Sequence, residues 1–365
     1  MVSRSDQTIG EKMTSFVHSA AVRSAWHPVA ESTDVGTGPH AFRLLGEDLV
    51  VWRSGSGELV VAADRCPHRE APLSAGMVDD GKLVCAYHGW AFGDAGRCVL
   101  VPSSGEDATI PPAAHLASRW VDERYGLVWV SLDEPTSRIP TISHEDDPAF
   151  RRINSGLQHW KVSAPRMVDN FCDISHFPWV HVGTFGGGQT PRVPRIELGE
   201  LDDGWYGYAY EVDANNPDLA AATTGTSDSV VHRRMSTGFH LPLSVRSTIE
   251  YETGLHHILL LCSTPVDDEE SLFTFVVWRN DDHSADPEVT IAFDRAIGAE
   301  DQRMLERLHG TMPLGRTDLV SVQSDRCSVD WRRRFAELVA GAPVPSAVTS
   351  HVTSAVTTFP GASPS

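Results

Sequence analysis

The chain is short of positive charge. Its 365 residues carry 30 Lys and Arg against 49 Asp and Glu, a formal net charge of −19, which argues against nucleic acid or an anionic membrane surface as a partner. Long apolar runs are missing too. The most apolar segments, 258–262 and 272–278, are strand-sized and fall well short of the roughly 20 residues that a membrane helix needs. Residues 1–19 are polar and mixed in charge, with no stretch that could serve as the h-region of a signal peptide. There is no internal repeat and no dinucleotide fingerprint. These absences set the expectation of a cytoplasmic protein whose six cysteines stay reduced unless they bind metal. What remains is an ordinary globular composition, 41% hydrophobic and 22% charged, long enough for two domains.

The first third reads as short strands between tight turns. Segments 42–45 and 49–53 flank Gly46-Glu47-Asp48, and Ser54-Gly55-Ser56-Gly57 leads into 58–63, the pattern of a β-meander that 127–132 closes. Prolines and acidic residues between 133 and 148 read as a linker. Beyond it, 169–176 reads as helical until Pro178 stops it, and Gly186-Gly187-Gly188 marks a loop. Residues 205–212 alternate as a strand with Tyr206, Tyr208 and Tyr210 on one face, and 257–262 and 272–278 form a hairpin over an acidic turn at 267–270. The longest helical pattern covers 287–309, with Ile297, Met304, Leu305 and Leu308 near one face. From 341 to 365 the chain has no charged side chain and is expected to be a mobile tail.

Two loops each offer one Cys and one His: Cys66-Pro67-His68 and Cys85-Ala86-Tyr87-His88. The short spacing lets both side chains of a loop point at one centre. In a Rieske centre two thiolates hold one iron and two imidazoles the other, which raises the potential above that of an all-thiolate cluster. Spacing alone leaves a Cys2His2 zinc site open.

A second string is Asn170-x-x-Asp173-x-x-His176-x4-His181. An O2-activating mononuclear iron uses two His and one carboxylate on one face of an octahedron. Asn170, Asp173 and His176 are spaced to share a helix face. His181 is off that face, and a helix broken at Pro178 would let the chain swing it back. Two histidines five apart carry little weight by themselves.

The fuller strings carry more. Cys-Pro-His-Arg-Glu-Ala-Pro-Leu-Ser (66–74), Cys-Ala-Tyr-His-Gly-Trp (85–90) with Gly96-x-Cys98, and Asp-Asn-Phe-Cys-Asp-Ile-Ser-His-Phe-Pro-Trp-Val-His (169–181) occur in order. They resemble the Rieske non-haem iron oxygenases, especially the branch of vanillate O-demethylase and toluenesulfonate methyl-monooxygenase. The resemblance spans about residues 25–310. It implies an α+β protein: an all-β Rieske [2Fe–2S] domain, then an α+β helix-grip catalytic domain with an antiparallel sheet. The expected divisions are an extension over 1–24, the Rieske domain over 25–135, a linker over 136–148, the catalytic domain over 149–340 and the tail.

On the resemblance, Cys66, His68, Cys85 and His88 hold the cluster and His176 and His181 the mononuclear iron. Asn170 and Asp173 belong to the catalytic centre, with Asp173 bridging to a cluster His. The third iron ligand sits in a late helix, often after a Glu, which selects Asp301 over Glu300, Asp294 and Glu306. Phe171, Phe177, Trp179 and Phe185 line a pocket or simply pack the core. His159, His240, His256 and His257 have no ligand-like spacing. The ligand loops lack the extra cysteine pair that respiratory Rieske proteins join as a disulfide, so the cluster resembles the low-potential oxygenase type. Cys98, Cys172, Cys262 and Cys327 are expected to be buried thiols.

The implied activity is that of an oxygenase component, taking electrons from NAD(P)H through a separate reductase, with or without a ferredoxin. It would hydroxylate or O- or N-demethylate a small aromatic or apolar substrate, as a homotrimer in which one subunit's cluster faces the next subunit's iron. The rivals are a ring dioxygenase forming cis-diols and a non-enzymatic Rieske electron carrier. A structural zinc protein is third.

Overall fold

The computed structural model describes residues 15–105, 108–308, 310–314 and 318–341. Most of the expected extension (1–14) and the expected tail from 342 onward lie outside them. The part of the extension that is described is helical. After a short 3-10 turn, α1 (Ala20–Arg23) follows, and Phe16, Val17 and Val22 are buried.

The first third is all β. Its strands are β1 (His27–Glu31), β2 (His40–Leu44), β3 (Glu47–Arg53), β4 (Leu59–Ala63), β5 (Met77–Asp79), β6 (Lys82–Val84), β7 (Ala91–Phe92), β8 (Cys98–Leu100), β9 (Trp120–Arg124) and β10 (Leu127–Ser131). They form three antiparallel sheets, β2-β3-β4, β5-β6-β7-β8 and β1-β10-β9. The expected meander is β2-β3-β4, but β10 does not close it. It lies between β1 and β9, because its five residues are all buried and need cover on both sides. Val50, Trp52, Val60, Ala62, Leu83 and Phe92 form the core under the β4–β5 and β6–β7 loops. Gly76 brings these loops together: a Cβ there would lie 2.1 Å from the Val84 carbonyl oxygen, so only glycine permits that approach.

The rest is one seven-stranded antiparallel sheet gripping helices. The chain runs β11 (Arg151–Trp160), α2 (Ala164–Phe171), α3 (Phe177–Val180), β12 (Gly199–Glu200), β13 (Tyr206–Asn215), α4 (Ala221–Thr224), β14 (Val230–His240), β15 (Ser244–Tyr251), β16 (His256–Pro265), β17 (Ser271–Arg279), α5 (Pro287–Leu305) and α6 (Arg326–Val339). The sheet order is β11-β17-β16-β15-β14-β13-β12. The expected hairpin is β16–β17, in register from His257 opposite Arg279 to Pro265 opposite Ser271.

Strand β16 is apolar on both faces because both are covered. Ile258, Leu260 and Cys262 pack with Tyr125, Leu127 and Trp129 of the first third, while His257, Leu259 and Leu261 face a cavity. Backbone bonds also cross between the two parts, from Leu45 N to Pro265 O and from Gly46 N to Val266 O. Helix α5 lies over that cavity. Phe293, Asp294, Ile297, Gly298 and Asp301 line it, and Leu305 is buried further along. Met304 and Leu308, expected on the apolar face, are exposed; the buried face instead includes Asp294, Glu300 and Asp301, which the hydrophobic pattern misses. Among the described residues no helix is long and apolar enough to cross a membrane.

Candidate metal centres and substrate pocket

Each ligand loop of the first third is a tight hydrogen-bonded turn. Cys66 N donates to Ala71 O and Glu70 N to Cys66 O; Cys85 N donates to Trp90 O and Gly89 N to Cys85 O. Both thiols end up buried, while His68 and His88 are exposed. The imidazoles face each other with ring centroids 4.4 Å apart, and Trp90 stacks on His68. Burial raises the Cys66 thiol, and the neighbouring Cys85 adds to the rise. A thiol pair inside and an imidazole pair outside fit a two-iron cluster. One tetrahedral zinc would draw all four donors within about 4 Å of one another. Among the described residues, the group of three or more potential ligands whose atoms lie that close together, within 4.8 Å, is His176, His181 and Asp301. Cys98, Cys172, Cys262 and Cys327 are buried free thiols.

The second centre begins where α2 ends. The helix stops at Cys172, earlier than its expected break at Pro178, because Asp173 captures the chain. Its Oδ1 accepts from Ser175 N at 2.8 Å and its Oδ2 from Ser175 Oγ at 3.0 Å, a local bond that competes with the helix. Tyr208 OH donates to the freed Cys172 carbonyl. Pro178 does not end a helix; it sits in the first turn of α3, where its missing N–H costs nothing. That short helix turns His181 back toward His176.

The result is a triangle of donor atoms. His176 Nε2 lies 3.2 Å from His181 Nε2, and each is 3.4 Å from Asp301 Oδ1. Ligands about 2.1 Å from a metal on one octahedral face stand about 3 Å apart, so the three fit a single ion. Carboxylates hold the far nitrogens and aim the rings inward. His176 Nδ1 lies 3.3 Å from Asp173 Oδ2, and His181 Nδ1 lies 3.1 Å from Glu300 Oε2. Glu300 also accepts from Thr184 Oγ1 and from Gly183 N. Asn170 Nδ2 donates to Asp301 Oδ1 at 3.1 Å. Burial disfavours a charged His176, but Asp173 and Asp301 outweigh it and lift the ring to about 9. Burial holds His181 below its ordinary value. A metal ion in the triangle would take the place of the proton that these carboxylates favour on His176.

Of the four carboxylates weighed in α5 and just beyond it, Asp301 faces both histidines and Glu300 stands behind one. Asp294 faces His257 further along the cavity, and Glu306 accepts from Lys161 N. The cavity, about 120 Å³, opens on His176, His181 and Asp301. Phe171, Phe177 and Phe185 line it, but Trp179 is 71% exposed. His240 packs on Trp205 and His159 pairs with Glu270. Sequence spacing gave no sign of His257 or Arg233, both of which line the cavity. For Arg233 a signal exists in β14, where Val231, Arg233, Met235 and Thr237 alternate as buried positions.

Residues 25–115 match the Rieske [2Fe-2S] domain model, and residues 160–341 match the vanillate O-demethylase oxygenase C-terminal domain model. The methylxanthine N1-demethylase NdmA of Pseudomonas putida is 32% identical over 87% of this chain and 89% of its own length. The N3-demethylase NdmB of the same organism is also 32% identical, with the same shares covered. The vanillate O-demethylase oxygenase subunit of a Pseudomonas strain is 31% identical over 47% of this chain and 48% of its own. The structure of NdmA with caffeine superposes with a TM-score of 0.76 at 30% identity, covering 88% of this chain and 92% of that one.

Proposed function

The chain belongs to the Rieske non-haem iron oxygenases, and on that premise we propose that it removes a methyl group from nitrogen or oxygen of a small, largely apolar ring compound. As an oxygenase component of this monooxygenase-type family, it carries a Rieske [2Fe–2S] cluster and a mononuclear iron and works with a separate reductase. When bound, the cluster passes on single electrons and the iron activates O2. The reductase would draw on NAD(P)H, and the working assembly would be a cytoplasmic homotrimer.

Cys66, His68, Cys85 and His88 would hold the cluster. His176, His181 and Asp301 would hold the iron. Asn170 fixes the Asp301 carboxylate, and Glu300 and Asp173 fix the rotation of the two rings. Phe171, Phe177, Phe273 and Phe275 make the cavity wall apolar and keep water from the reacting centre. Asp173 is only partly buried. Its carboxylate accepts three bonds within the chain of about four it can take. One position is left for a cluster imidazole of a neighbouring subunit, and His68 and His88 are exposed.

In the balanced reaction, O2, two electrons and two protons convert a methyl group to hydroxymethyl and one water. The hydroxymethyl group then leaves as formaldehyde, freeing N–H or O–H. The observation that carries this reading is the apolar cavity opening directly on the His176–His181–Asp301 triangle. The test is oxygen uptake with a surrogate reductase across N-methyl and O-methyl ring compounds, measuring formaldehyde and following labelled O2. One formaldehyde per substrate-coupled O2 supports demethylation; a cis-diol bearing both labelled oxygens and no formaldehyde would overturn it.

A further inference from the structure

Away from Asp301, the cavity meets polar groups that none of these roles uses. Asp294 Oδ2 and His257 Nε2 lie 3.3 Å apart. The two residues are 9% and 1% exposed, yet the angles leave both atoms without a hydrogen bond. A buried donor and a buried acceptor left unmatched are costly, and both residues line the cavity.

The tautomer of His257 is set from behind. Arg279 Nη1 lies 2.6 Å from His257 Nδ1. A guanidinium can only donate, so Nδ1 accepts and the ring carries its proton on Nε2. Arg279 is itself held by Asp281, which Arg151 grips with two bonds. The outcome is a fixed N–H donor beside a buried carboxylate oxygen at the edge of an apolar cavity.

Helix α5 sets the distance to the reacting centre. Asp294 and Asp301 are seven residues apart and both face the cavity, about 10 Å along the axis. Between them on α5, Ile297 and Gly298 also line the cavity, as do Leu259 and Leu261 of β16 and Phe275 of β17.

We propose that Asp294 and His257 form the recognition edge for a ring amide. The substrate is an N-methylated heterocycle that keeps one ring N–H next to a carbonyl, with the N–H on Asp294, the carbonyl on His257 and the methyl group toward Asp301. The proposal rests on the demethylase reading. A carboxylate in the same place meets the Asp294 charge, an ether satisfies one of the two atoms, and an ammonium leaves the His257 N–H facing a cation. Arg233 is the competing anchor. It is 4% exposed, its Nε and Nη2 have no hydrogen-bond partner, and its guanidinium lies over Phe185 at 5.1 Å. It would favour an anionic substrate.

Calorimetric titration of the iron-loaded protein, without reductant, separates the two. The probes are 1-methyluracil against 1,3-dimethyluracil and 3,7-dimethylxanthine against 1,3,7-trimethylxanthine, pairs that differ only in whether the imide N–H is methylated, with 3-methoxybenzoate as the anion. A member keeping the N–H should bind on the order of 100-fold more tightly than its capped partner, as sites built to pair a polar group discriminate. Asp294→Leu and His257→Phe should abolish that preference while leaving the visible spectrum of the cluster unchanged. Equal binding within both pairs, no binding of either N–H compound, or tightest binding of 3-methoxybenzoate with loss in Arg233→Met would each overturn the proposal. The wild-type comparison stands even if a variant does not fold. Formaldehyde assays on the bound compound judge the reaction separately: discrimination without formaldehyde would refute demethylation and leave the recognition edge in place.

Discussion

Glu300 stands directly behind His181, with Oε2 3.1 Å from Nδ1, while its chain neighbour Asp301 reaches the other side of the same ring, 3.4 Å from Nε2. Two consecutive carboxylates thus hold one imidazole from both sides. The position of Gly183 makes this possible: a Cβ there would sit 2.6 Å from Glu300 Oε1.

This pairing separates two roles by size of effect. Asp301→Asn should empty the mononuclear site and stop turnover. Glu300→Gln should weaken iron retention by about 10- to 100-fold, as the loss of an outer-shell partner does, with the cluster spectrum intact. Iron titration of both variants decides it. Normal iron affinity in Asp301→Asn with loss in Glu300→Gln would exchange the roles.

Metal content divides the two centres. The protein should hold about three irons per chain, two of them in the cluster. His176→Ala or His181→Ala should retain the Rieske EPR signal and lose one iron. Cys66→Ser should lose the signal, keep the mononuclear iron and abolish turnover. Stoichiometric zinc with no such signal would refute the assignment of Cys66, His68, Cys85 and His88.

Asp173 tests the proposed ring assembly. Asp173→Ala should keep both centres occupied and the cluster reducible, yet slow single-turnover oxidation of the cluster by orders of magnitude. Mixed trimers of Asp173→Ala and Cys66→Ser chains should regain activity at junctions that join an intact cluster to an intact Asp173. If verified mixed trimers stay dead, Asp173 only orients His176 within its own chain.

Acid sensitivity should have a component from His27. This ring is buried, and Nε2 donates to the Val22 carbonyl at 2.8 Å. Burial pushes it down to about 4, with that bond opposing, against about 6.5 when unfolded. Between those values the unfolded chain binds the extra proton, so stability is full above about pH 6.5 and falls as pH drops toward 4, by about 3 kcal/mol at most. Melting curves at pH 7.5 and 5 should show a smaller shift for His27→Gln than for wild type. An equal shift would place the acid sensitivity elsewhere.

Much of the site was legible because it is local. Cys66 with His68, Cys85 with His88, and His176 with His181 lie within single turns, and a turn's geometry follows from a few residues. The meander, the β16–β17 hairpin and the long α5 helix were equally readable from alternation and period. The break before His181 was also expected, but its cause lies in the Asp173 side chain and not in Pro178.

What the sequence could not decide is which way long elements face. Asp294, Glu300, Asp301 and Glu306 are four similar carboxylates, three of them in α5 and one just beyond its end, and each residue turns a helix by about 100°. Packing against the sheet sends Asp301 to the histidines, Glu300 behind His181, Asp294 to His257 and Glu306 to Lys161. Strand β16 is apolar on both faces, so its pattern cannot say that His257 is turned into the cavity and Ile258 away from it. Local sequence fixes the turns that carry the proposed ligands. The rotation of α5 and the register of β16 decide which carboxylate meets the histidines and that His257 faces the cavity, because those depend on contacts between residues far apart in the chain.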